Sequence, residues 1–290
     1  MKNIRIYAFA DEAAPDLESQ IYAMLRNQLN GLEIRGINGQ NVSEISLDTA
    51  REIRRRLDEN GLKTWSIGSP IGKISIDEPF GAHLDLFHHT LEVARILGAE
   101  NLRMFSFYMP VTRDPEQFTD AVIERVGRLI DAARGSGITL CHENEKGIFG
   151  DTPRRCLLLH RTFPSLRGVF DPANFVQCGS DPLPAWEKLK PYIHYLHIKD
   201  ALPTGKVVPA GYGVGKVMQI VQDYLRMGGR AFTIEPHLFG FDGFVRLERD
   251  GLSAPGASSS MNFVYPDANT AFDTACNAFR YVLRLCEQGG

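Results

Sequence analysis

A single-domain (β/α)8 TIM barrel spanning residues 1–290, an α/β architecture, is the fold this sequence predicts, on three observations. Eight short runs rich in β-branched and aromatic residues recur along the chain, each followed by room for a helix. Four of the later runs end abruptly in a carboxylate or an imidazole, as barrel strands do where they open into a site. A length of 290 residues suits one α/β barrel. A doubly wound open sheet is the competing arrangement of the same units.

The strand-like runs are 4–9, 31–35, 63–67, 101–105, 138–143, 168–171, 195–198 and 232–235. Between them the spacing predicts helices. The first, over 16–29, carries Leu17, Ile21, Met24, Leu25 and Leu29 toward one side, and the second, over 47–60, stops at Gly61. A long helix follows Pro79 and ends at Leu97-Gly98. The helix over 115–134 aligns Phe118, Val122, Val126 and Leu129 on one face, and Gly135 or Gly137 stops it. Further helices are expected over 153–161, 216–227 and 267–286. Two loops stand out, at 68–76 and at 239–265. The second contains the Ser-, Gly- and Ala-rich stretch 251–260 and reads either as a lid or as a disordered tip.

A hydrophobic content of 43% supplies a large core. A net charge of −3 without a long basic run argues against a surface built to hold nucleic acid. No apolar run reaches the ~18 residues of a membrane span. The five cysteines are odd in number and lack CxxC pairing, so a reducing, cytoplasmic setting is the simpler expectation.

Side chains alternate along a strand, so Thr139, Cys141 and Glu143 share one face while Leu140 and His142 share the other. Ala231, Thr233 and Glu235 align in the same way, as do Tyr195, His197 and Lys199. Small residues on the inner face suit a barrel lumen, and His142 then faces the helices in a structural role. Glu143, Asp171, His197 and Glu235 are thereby expected to meet around one divalent metal. Three converging carboxylates repel unless a cation lies among them. Predominantly oxygen donors favour Mn²⁺, with Mg²⁺, Co²⁺, Fe²⁺ and Zn²⁺ also suited to the set. Taken singly, each residue has a plainer reading: a salt-bridge partner, a cap on the helix after Pro172, or an ordinary strand-end histidine. Glu33, Arg35 and Arg103 sit at or near strand ends, where they contact either substrate hydroxyls or neighbouring loops. Trp65 and Phe107 fit an apolar wall or plain core packing. His237 shares the face of Glu235, as a second partner of that carboxylate or a substrate contact. The stretch Gly211-Tyr212-Gly213-Val214-Gly215-Lys216 is either a tight turn entering a helix or a phosphate loop with Lys216 and Lys73 as anchors.

The segments Glu143-Asn144-Glu145-Lys146-Gly147, Phe170-Asp171-Pro172-Ala173-Asn174-Phe175, His197-Ile198-Lys199-Asp200-Ala201 and Ile234-Glu235-Pro236-His237 resemble the xylose-isomerase-like barrel superfamily. Within it they resemble the sugar-phosphate isomerase/epimerase group of ketose 3-epimerases, hydroxypyruvate isomerase and inosose dehydratase. The resemblance implies that Glu143, Asp171, His197 and Glu235 bind the metal and that Glu143 and Glu235 also carry protons. A substrate-binding histidine of the epimerases falls at Asn174, and their arginine after the seventh strand has Lys199 as its nearest counterpart. The implied activity is isomerisation or epimerisation of a small sugar-like hydroxy-carbonyl compound through an enediolate. The alternatives are an inosose-type dehydratase on the same metal site, a non-catalytic sugar-binding barrel and an abasic-site endonuclease. Substrate contacts are expected from Asn174, Lys199, His237, Glu33 and Arg103. The implied partners are a carbohydrate-like small molecule and further copies of the chain in a homodimer or homotetramer.

Overall fold

Each of the eight apolar runs forms a strand, and each strand pairs in parallel with the next to close a barrel. The computed structural model describes residues 3–240 and 263–288. The strands are β1 Arg5–Ala8, β2 Gly31–Ile34, β3 Lys63–Gly68, β4 Asn101–Met104, β5 Thr139–Glu143, β6 Arg167–Phe170, β7 Ile193–Ile198 and β8 Ala231–Ile234. The helices are α1 Leu17–Arg26, α2 Leu47–Glu59, α3 Gly81–Leu97, α4 Thr119–Ala133, α5 Pro153–Thr162, α6 Pro172–Gln177, α7 Pro182–Leu189, α8 Val217–Arg226 and α9 Ala268–Gln288. Most of the long loop expected at 239–265 lies outside the described residues. Among the described residues no helix is long and apolar enough to cross a membrane.

Local chemistry sets the helix ends. Asp16 and Ser46 cap α1 and α2 by accepting from the backbone N–H groups of Ser19 and Thr49. Gly98 takes the left-handed conformation that ends α3. A helix after Pro172 was expected and forms as α6, whereas α7 was not expected from the sequence. They are short, and prolines punctuate them, but Pro172 and Pro182 occupy first-turn positions where no intrahelical N–H is needed. Asp171 and Asp181 supply their caps.

Side-chain alternation sorts the core into two compartments. Leu140, Phe232 and Ile234 join the large apolar layer between barrel and helices. Tyr7, Trp65, Cys141, Val169, Tyr195 and Ala231 form a separate buried cluster that fills the lumen. Tyr7 and Trp65 stack with centroids 5.0 Å apart, and Tyr195 meets Trp65 edge-on at 5.8 Å. Trp65 is therefore part of the barrel floor. His142 points outward as alternation predicts. Its Nε2 lies 2.9 Å from Ser106 Oγ, and its ring meets His160 edge-on.

Burial lowers His142 to about 3, and the nearby His160 adds to the effect. Burial likewise lowers His160 to about 4, partly offset by the Leu166 carbonyl. Both are neutral in the folded state and protonate more readily once unfolded. Their contribution to stability is thus present above pH ~6.5 and is lost as pH falls toward 4 and then 3. At pH 5 each should cost about 2 kcal/mol relative to pH 7. Thermal unfolding from pH 7 to pH 5 should show a falling midpoint, with a shallower slope in His160→Gln. An unchanged slope would remove His160 from the account.

Candidate metal centre

The strand register brings the candidate residues together. Phe170 on β6 pairs with Leu196 on β7, so the residues that follow, Asp171 and His197, stand side by side. His197 in turn pairs with Thr233 on β8, two residues before Glu235. Glu143 ends β5 opposite Val169. Glu143, Asp171, His197 and Glu235 each offer an atom such that all four lie within 4.8 Å of one another, and all four residues are buried.

His197 Nδ1 lies 3.0 Å from Glu143 Oε1 and 3.5 Å from Glu235 Oε2. Asp171 divides its two oxygens. Oδ1 caps α6 by accepting from Asn174 N–H, while Oδ2 approaches Lys199 Nζ to 2.9 Å without the alignment of a hydrogen bond. The helix-cap reading and the metal reading of Asp171 are thus compatible, one for each oxygen. Lys199 Nζ also donates to Glu235 Oε2 at 2.9 Å, and Arg103 donates to Glu143 Oε2 at 3.1 Å. The Asn174 side-chain amide donates to Glu143 Oε1 at 3.2 Å and to the Asn144 carbonyl at 2.9 Å. Glu33 contacts His197 Nε2 at 3.1 Å and Tyr195 Oη at 2.9 Å.

A second charged layer adjoins Glu235; His237 was expected there as a partner of that carboxylate, whereas Asp11 and Glu12 were not. Arg35 reaches Asp11, Glu12 and, at 3.4 Å, Glu235 Oε1. His237 Nε2 lies 3.4 Å from Glu235 Oε1 and 3.5 Å from Glu12 Oε1. Its backbone sits at φ 45°, a left-handed conformation uncommon outside glycine. The apolar wall is Phe9, whose ring packs against Arg35 at 4.5 Å, Arg103 at 5.1 Å and, edge-on, His197 at 5.3 Å. Asp11, Glu12 and Phe9 follow the first strand in a run without a motif. Only their placement beside the mouth signals them.

The xylose isomerase-like TIM barrel family matches residues 26–237. The chain belongs to that family. No curated protein sequence matches it. Among solved structures it is similar to an L-ribulose 3-epimerase, with 16% identity, TM-score 0.73, and 100% of this chain and 97% of that one covered. It is also similar to an IOLI protein with a bound zinc atom, with 15% identity, TM-score 0.70, and coverage of 97% and 99%. A third is the probable 3-DHS dehydratase AsbF from Bacillus anthracis, with 16% identity, TM-score 0.68, and coverage of 80% and 92%. At these identities the likeness is one of fold.

The donor set of this xylose isomerase-like barrel fits a divalent cation. Burial pushes the Asp171 carboxyl up to about 7 against the pull of Lys199, with Glu235 and Glu143 adding to the rise. Burial would raise Glu235 too, but Lys199, His237 and His197 hold it well below the usual carboxylate range. One carboxylate of the group is thus driven toward protonation by burial first and by the other carboxylates second, a conflict that a dication would relieve. Asp171 Oδ2, buried and without a hydrogen bond, is the oxygen with a lone pair to spare.

The glycine-rich stretch resolves as a turn. The backbone N–H groups of Gly211, Gly213 and Gly215 donate to the Asp200 carboxylate at 3.0, 3.0 and 2.8 Å, and Ala201 N–H donates at 2.9 Å. A Cβ on Gly213 or Gly215 would stand 2.3 or 2.6 Å from Asp200 Oδ1. The N–H groups that a phosphate loop would offer to its ligand are taken by the protein's own anion. Lys216 is exposed, and Lys73 pairs with Glu145 at 3.2 Å while lying 4.4 Å from the Phe105 ring centroid.

Lys199→Met should leave Asp171 and Glu235 facing each other without their shared ammonium. Breaking a buried pair from one side costs about 3 kcal/mol or more. The expected result is a melting midpoint several degrees lower in metal-free protein, recovered by excess Zn²⁺. An unchanged midpoint would show that this ion pair contributes nothing to stability.

Proposed function

We propose that this barrel is a divalent-metal-dependent isomerase or epimerase acting on a small, sugar-like hydroxy-carbonyl compound. The observation that carries the proposal is a pair of buried glutamates, Glu143 and Glu235, in one cluster with Asp171 and His197. Glu143, Asp171, His197 and Glu235 would hold the ion. When bound it would supply Lewis acidity, making the C–H beside a substrate carbonyl easier to ionise. Mn²⁺ is favoured because oxygen donors dominate the set. Zn²⁺ is the alternative suggested by the likeness to the IOLI protein.

The chain's own groups support a proton-transfer role for the glutamates. Each has a cation fixing one oxygen: Arg103 on Glu143 Oε2 and Lys199 on Glu235 Oε2. Each carboxylate is therefore held in one rotamer at the mouth. One glutamate would take the carbon-bound proton, and the same or the other glutamate would return it to the neighbouring carbon or the opposite face. Asn174 holds Glu143 from its Oε1 side, and His237 and Arg35 adjoin the Oε1 side of Glu235. Phe9 excludes water beneath the cluster, which strengthens every charge interaction there. The same base would serve a dehydratase if a leaving hydroxyl stood beside the ionised carbon, the reading raised by the likeness to AsbF.

The deciding experiment adds Mn²⁺ back to metal-stripped protein with a panel of ketoses and inososes in D₂O. Deuterium entering the sugar carbon supports the isomerase or epimerase. Loss of water from the substrate, giving a product lighter by one water, assigns the dehydratase, and no turnover with any substrate sinks both. Glu235→Gln and Glu143→Gln should each lower turnover by about 10²-fold or more while retaining the fold. Near-wild-type turnover in either variant would remove that residue from proton transfer.

A further inference from the structure

Glu33 is fully buried at the end of β2, and the protein engages both of its carboxylate oxygens. Tyr195 Oη donates to Oε1 at 2.9 Å, and Oε2 lies 3.1 Å from His197 Nε2. Tyr195 Oη is itself 3.1 Å from Ser66 Oγ. Each Glu33 oxygen thus already has a protein side chain as its partner. A shift in strand register puts it there. Leu32 pairs with Thr64 but Glu33 pairs with Ser66, so the extra residue on β3, Trp65, turns the pairing by one step. Such bulges re-aim side chains and recur beside functional sites.

We infer that Glu33 is a positioning residue that keeps the His197 proton on Nε2 and so presents the Nδ1 lone pair to the metal centre. The inference rests on the metal reading proposed above. A neutral imidazole carries one proton, and the nitrogen that keeps it is set by the partner of the other. Nε2 faces the Glu33 carboxylate, which can only accept. Nδ1 faces Glu143 and Glu235, where the ion would lie. Tyr195 and Ser66 hold the Glu33 carboxylate in place, and the edge-on Phe9 ring limits tilting of the imidazole. A negative charge behind the ring also makes Nδ1 a stronger donor.

The test uses full-length protein and Zn²⁺ alone, by competition with a chelator of known affinity, beside ¹⁵N spectra of the histidine rings. Glu33→Gln, close to isosteric, should bind Zn²⁺ about 10–100-fold more weakly. Zinc-loaded wild-type protein should show His197 protonated at Nε2 and metal-bound at Nδ1. Equal affinity in the variant, or zinc on Nε2 in the wild type, would overturn the inference and leave the metal centre standing. Wild-type protein that binds no Zn²⁺, Mn²⁺ or Mg²⁺ would overturn both. If Glu33→Gln fails to fold, the nitrogen that carries zinc in the wild type still decides, and Tyr195→Phe supplies a second affinity comparison. That variant should also bind more weakly, and unchanged affinity would count against the relay.

Discussion

Three carboxylates and an imidazole within 4.8 Å of one another, in a region sealed from water, need positive charge among them. The rest of the molecule is arranged around that need. Lys199 bridges Asp171 and Glu235, Arg103 holds Glu143, and Arg35 sits among Asp11, Glu12 and Glu235. Even with these cations the balance is tight: burial pushes Glu12 up to about 8 despite its contact with Arg35. A dication fits the chemistry of this donor set, and it would compete with Lys199 for the same two oxygens.

The barrel makes the arrangement rigid. Every group at the centre comes from a strand or from the first residues beyond one, and the strands are locked to one another by parallel pairing. Because alternation along a strand is strict, slipping β6, β7 or β8 by a residue would exchange a centre residue for an apolar one. Function and core packing therefore depend on the same register.

This double dependence explains what could be read in the sequence. All eight strands were legible, because a buried parallel strand is a short apolar run with sharp ends. The outward placement of His142 and the inward placement of Cys141 followed from alternation alone. The convergence of Glu143, Asp171, His197 and Glu235 followed from their shared position at strand ends. Partnerships across the mouth were not legible. Nothing local announces that Arg35 answers Asp11 and Glu12, that Arg103 pairs with Glu143, or that Asp200 fills the glycine-rich turn. Those contacts join residues far apart in the chain, and only the closed barrel sets their spacing. The helix α7 was missed because its stability comes from a first-turn proline and an aspartate cap, not from a long apolar stripe.

The stacked rings of Tyr7 and Trp65, with Tyr195 edge-on to Trp65, close the lumen beneath the centre. Among the described residues these rings bar passage through the lumen, which leaves the opposite end of the barrel as the way in. Under the proposed function, a compound that entered would retreat along the same route after conversion, so substrate and product would contend for one vestibule. The proposed reversible chemistry between two near-identical molecules would tolerate that traffic well, since each would fit the berth that the other had just left.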